Sequence, residues 1–84
     1  MHWDVVAVQV VADLSLRVRF ADGTEGDVKF EASHLTGVFA ALKAPLIFNK
    51  VFIDAGAVAW PGEIDLAPDA MYKAIKAQGC WVLD

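Results

Sequence analysis

Leu14-Ser15-Leu16-Arg17-Val18-Arg19-Phe20-Ala21-Asp22-Gly23-Thr24-Glu25-Gly26-Asp27-Val28-Lys29-Phe30 decides the fold. Leu14, Leu16, Val18 and Phe20 alternate with Ser15, Arg17 and Arg19, the period of a strand with one face buried. Val28 and Phe30 resume the apolar face beyond Ala21-Asp22-Gly23. Charge then fixes the register. A three-residue loop with Gly23 in the left-handed region sets Phe20 against Thr24, Arg19 against Glu25 and Arg17 against Asp27. Leu16 then faces Val28, and Leu14 faces Phe30. A two-residue Asp22-Gly23 loop would instead oppose Val18 to Asp27 and mix the faces. Each cross-strand ion pair is worth about 0.2–1 kcal/mol, so the charges select the register more than they add stability.

Working outward, Val5 to Ala12 is apolar on both sides: Val6, Val8 and Val10 share one face, and Val5, Ala7 and Val11 make the other. Such a run predicts a central strand, or one covered by a partner. C-terminal to the hairpin, Ser33 is placed to cap a short helix carrying Leu35, Val38, Phe39 and Leu42. Gly37 inside it costs about 1 kcal/mol relative to alanine and marks a possible break, and Pro45 ends it. Phe48 to Ile53 reads as a strand, Asp54-Ala55-Gly56 as a turn and Ala57 to Trp60 as the return strand, closed by Pro61-Gly62. A last helix starts at Pro68, with Asp69 near its positive end, Lys73 and Lys76 toward its negative end, and Gly79 as the stop. Cys80-Trp81-Val82-Leu83 is too apolar to hang free and is expected to pack on the sheet or on a second subunit. The expected order is β-β-β-α-β-β-α: one α+β domain over residues 1–84 with a mainly antiparallel sheet.

Apolar residues make up 57% of the 84-residue chain, mean hydropathy is +0.45 and only 21% of residues are charged. Soluble domains average about 45–50% apolar and about 25% charged. The excess points to a homo-oligomer or a partner interface, since monomers seldom leave large apolar patches wet. The longest uncharged stretch, Ala32 to Leu42, falls far short of the ~20 apolar residues of a membrane span. Met1-His2-Trp3-Asp4 lacks the basic start of a signal peptide, and the lone Cys80 forms no internal disulfide; both point to the cytoplasm. A net charge of −4 argues against direct nucleic-acid binding.

With these elements placed, the chain resembles the bacterial family known as domain of unknown function 2442. The resemblance is carried by the valine strand, by Leu16 to Gly23, by Phe39-Ala40-Ala41-Leu42 and by Phe48-Asn49-Lys50-Val51. Above all it rests on Trp60-Pro61 followed by Ile64-Asp65-Leu66-Ala67-Pro68-Asp69 and Tyr72. Family members commonly place a polar residue and then a glycine after Trp-Pro, where Gly62-Glu63 stands here. The resemblance implies a small prokaryotic α+β fold. It also implies kinship with proteins fused to helix-turn-helix domains or encoded beside small partners in the manner of toxin–antitoxin pairs. It supplies no catalytic residue.

Candidate chemistry is sparse. Glu63, Asp65 and Asp69 could be read as a hard-cation site, but each has a simpler role, with Glu63 solvated, Asp65 bracing the turn and Asp69 suiting the helix start. His2 and His34 have no second ligand at metal spacing, and Cys80 sits at the helix end that does not favour a thiolate. Arg17, Arg19 and Lys29, interleaved with Glu25 and Asp27, read as a solvated face. Neither catalytic, metal nor cofactor-binding residues are assigned. Trp60 reads as core, whereas Trp3 and Trp81 suit core or interface equally. The leading expectation is a non-enzymatic, oligomeric protein-interaction module, with Trp3, Val5, Val11, Trp81 and Val82 as candidate interface. The alternatives are an antitoxin-like or transcription-linked regulator acting through a partner, and a small-ligand binder or enzyme with a pocket near Asp65 and Tyr72.

Overall fold

The computed structural model describes residues 2–83, and within them all side chains except those of His34 and Val38. Four strands form the first sheet in the order β1 (Val5–Ala12), β2 (Ser15–Phe20), β3 (Glu25–Phe30) and β7 (Cys80–Leu83). The β2–β3 register is the one the charges select: Arg19 faces Glu25, Arg17 faces Asp27 and Leu16 faces Val28. The Phe20 amide donates to Thr24 at 2.8 Å and the Phe30 amide to Leu14 at 2.9 Å, so both ends of the hairpin close as expected.

β1 departs in pattern from the expected strand, and of its two expected places the central one is not the one it takes. It lies at the edge of the sheet, antiparallel to β2, instead of at the centre. Its register slips between Val5 and Ala7 and again between Val10 and Ala12. The two extra residues are Val6 and Val11, which stand 50% and 47% exposed. Two bulges therefore bring Val5, Val8 and Val10 onto the core side and turn the surplus valines outward. A strict period of two, applied to the sequence, puts Val5 on the wrong face.

The middle of the chain is also more irregular than its periodicity implies. Ala32–His34 and Gly37–Lys43 are 3₁₀ turns separated by Leu35 and Thr36, and Gly37 opens the second at φ +60°. Ser33 lies inside the first turn and caps nothing. Pro45 ends the second turn but also opens a one-turn helix, α1 (Pro45–Phe48), whose first position suits a residue without an N–H. The expected Phe48–Ile53 strand is thus reduced to β4 (Phe52–Asp54). Phe48 reaches the core from a helix, and its carbonyl accepts the buried Trp60 indole N–H at 2.9 Å.

β4, β5 (Ala57–Trp60) and β6 (Ile64–Asp65) form a second, three-stranded antiparallel sheet. Ala55 and Gly56 join β4 to β5 with φ of 50° and 82°, the two left-handed residues of a type I′ hairpin. The helix α2 (Pro68–Gln78) has Pro68 at its start, Asp69 in its first turn and Lys76 in its last. Gly79, at φ 79°, donates its amide to Ile75 at 2.7 Å and stops it. The chain then enters β7 and pairs parallel with β3, so the apolar tail joins the sheet as a strand. Where α2 crosses β3, a Cβ on Gly26 would stand 2.5 Å from Ile75 Cγ2 and 2.7 Å from the Gly79 carbonyl oxygen. Only glycine permits that approach. Trp60, Phe20, Leu16, Leu42 and Met71 are the largest of the fully buried side chains.

Candidate functional site

Two polar features stand out against this core. The first lies where α2 meets the β2–β3 loop. Asp22 accepts the Thr24 amide on Oδ1 at 2.9 Å, which folds the loop on itself. Its Oδ2 accepts the Tyr72 hydroxyl at 2.5 Å and lies 4.0 Å from Lys76 Nζ. The Tyr72 hydrogen bond and then the Thr24 amide stabilise the ionised carboxyl, so Asp22 is lowered to about 2. The same hydrogen bond raises the Tyr72 phenol above its ordinary value and keeps it a donor. Edge-on contacts from Phe20 and His2, each with centroids 5.1 Å away, hold the Tyr72 ring. Asp22 and Tyr72 belong to two of the segments that carry the family resemblance, fifty residues apart in sequence. The structure joins them in one latch, which sequence spacing does not reveal. Arg17 pairs with Asp27 at 3.1 Å across the hairpin, and that hydrogen bond raises the guanidinium value.

The second feature is a groove of about 370 Å³ on the outer face of the second sheet. Phe52 faces Ala59 and Ala59 faces Asp65, so the three stand in one row across β4, β5 and β6. Asp54, two residues after Phe52, lies on the same face. Val58, Trp60 and Ile64 point the other way into the core. Alanine in the central strand makes the slot: Ala59 is only 4% exposed beneath its neighbours, while Phe52 is 44% exposed. Pro61, Gly62 and Glu63 close one end, with Glu63 forced to φ +64°. Asp54, Glu63 and Asp65 carry the lining charge, and none of the lining residues is basic.

The sequence-predicted residues scatter. Val5 is 2% exposed and belongs to the core, so it offers no side chain to an interface. Val11 and Val82 are exposed, on β1 and β7 at opposite edges of the first sheet. Trp81 packs half-buried against the core, and Trp3 is half-buried with the His2 ring against it at 4.8 Å. Asp65 and Tyr72 do not meet: Asp65 lines the groove, whereas Tyr72 is bonded to Asp22. The Asp65 carboxylate takes no hydrogen bond among the described residues; Asp65 closes the hairpin through strand pairing with Ala59. Among the described residues no three His, Cys, Asp or Glu side chains gather as a metal site. The His34 side chain lies outside the described residues.

Residues 5–77 match the model of the family described as Protein of unknown function (DUF2442). The chain belongs to this family. The matched span takes in the valine strand, the Asp22–Tyr72 latch and the whole groove. No curated protein and no solved structure matches the chain. Among the described residues, no helix is long and apolar enough to cross a membrane.

Proposed function

We propose that this DUF2442 chain is a non-enzymatic protein-interaction module of the cytoplasm that associates with itself through its exposed apolar side chains. One observation carries the reading: Leu46 is 80% exposed on a single helical turn, with Val6, Val11 and Val82 also 43–50% exposed. Burying a leucine side chain is worth about 1.5–3 kcal/mol, a strong pull for one residue. A standard interface covers about 800 Å² per partner, a large share of the 4889 Å² this chain exposes. Association is therefore modest and concentration-dependent. Amide resonances followed from micromolar to millimolar protein test it. Shifts that move with concentration around Leu46 and the exposed valines are expected, and are abolished by Leu46→Lys. Resonances that stay fixed over the whole range would remove self-association from the reading.

A further inference from the structure

We infer that the groove on β4–β6 binds a basic, extended segment of a partner protein, with an arginine side chain laid against Phe52 and reaching Asp65 and Asp54. The inference rests on the protein-interaction reading and adds to it a second surface and the chemistry of what docks there.

The slot joins an exposed ring, a small-residue floor and an acidic rim. Phe52 stands beside Ala59 and Ala59 beside Asp65, so a flat group lying over Ala59 touches the ring on one side and the carboxylate on the other. A guanidinium suits both walls: it stacks on aromatic faces and forks onto carboxylates, whereas an ammonium does only the second well. The volume of about 370 Å³ is near the lower limit for a small-molecule pocket, and the groove is open to solvent, not enclosed. Side chains of an extended segment fit that shape.

Charge excludes the other occupants. Asp54, Glu63 and Asp65 repel nucleic acid, and they are spread around the rim instead of converging on one cation. A second copy of this chain is a poor match. Arg17 and Arg19, on the sheet face that would have to dock, lie opposite Asp27 and Glu25, and Arg17 is already bonded to Asp27.

The test is a titration of the isotope-labelled full chain with the peptide Gly-Arg-Leu-Arg-Leu-Arg-Gly and with its Arg-to-Glu counterpart. The arginine peptide should shift the amides of Phe52, Ala59 and Asp65; the glutamate peptide should shift none. Asp65→Lys should weaken binding roughly tenfold, the scale of losing one close charge pair. Phe52→Ala should weaken it while leaving its salt dependence. Both residues are exposed, and thermal melts confirm that each variant folds. Arginine-peptide shifts centred on Glu25 and Asp27, affinity indifferent to Asp65→Lys, or no shift at low salt would each overturn the inference. Concentration-dependent shifts around Leu46 without peptide are read separately, so the groove can fail while the self-association reading stands.

Discussion

Gly26→Ala should be among the most damaging one-carbon changes this fold can suffer. The added Cβ would meet Ile75 Cγ2 at 2.5 Å and the Gly79 carbonyl oxygen at 2.7 Å. Carbon atoms rest about 3.5–4.0 Å apart, so Ile75 must retreat by roughly 1 Å. The isoleucine can partly change rotamer. The Gly79 oxygen cannot, because it belongs to the backbone that stops α2 and starts β7. Overpacking of this kind costs about 1–3 kcal/mol, and a rigid contact atom places the change near the upper end. Alanine recovers about 0.5–1 kcal/mol of the entropic penalty of a strand glycine, leaving a net loss of about 2 kcal/mol. In a domain of this size that lowers Tm by roughly 8–16 °C. Differential scanning calorimetry on Gly26→Ala reads it directly. Gly62→Ala serves as the control, since nothing lies within 4 Å of its added Cβ and only the strain of φ +96° remains. The reasoning is refuted if Gly26→Ala melts within about 2 °C of the parent, because α2 would then not be pressed onto β3.

Further outcomes follow from the turns, the core and the latch. Ala55→Asn puts the residue favoured in a type I′ turn at φ 50°, and should raise stability by about 0.5–1 kcal/mol in a denaturant titration. Trp60→Phe deletes the indole N–H that the Phe48 carbonyl accepts and leaves a void, a loss of about 2–4 kcal/mol by the same titration. The folded-state value of Asp22, about 2, lies below its ordinary 3.8, so its stabilising effect is present above about pH 4 and drains away as pH falls toward 2. Tyr72→Phe should flatten that part of the Tm–pH curve, and an unchanged slope between about pH 4 and 2 would show that the latch does not hold α2.

The hairpin was legible from sequence because alternation and charge agreed on one register: Arg17–Asp27 and Leu16–Val28 both require the three-residue loop. The ends of α2 were legible for the same reason, since Pro68, Asp69, Lys76 and Gly79 each carry a local preference that the fold accepts. What stayed hidden depended on distant partners. Val6 and Val11 are bulged out by their fit to β2, and no local pattern distinguishes them from Val8. The apolar neighbours of Phe48 read as a strand, yet Pro45 and the Trp60 indole hold it in a helical turn. Parallel pairing of Cys80–Leu83 with β3 needs α2 as its crossover, a relation between segments about fifty residues apart. The groove was equally invisible: Phe52, Ala59 and Asp65 become a row only once two hairpins set their registers.

Sedimentation equilibrium from micromolar to millimolar protein, at low salt and at about 1 M salt, tests the central claim most directly. Association through Leu46 and the outward valines predicts an average mass that climbs above the 9.1 kDa of one chain and does so at both salt levels, since apolar burial is not screened. A mass fixed at 9.1 kDa throughout would contradict self-association, and a rise confined to low salt would assign it to charge.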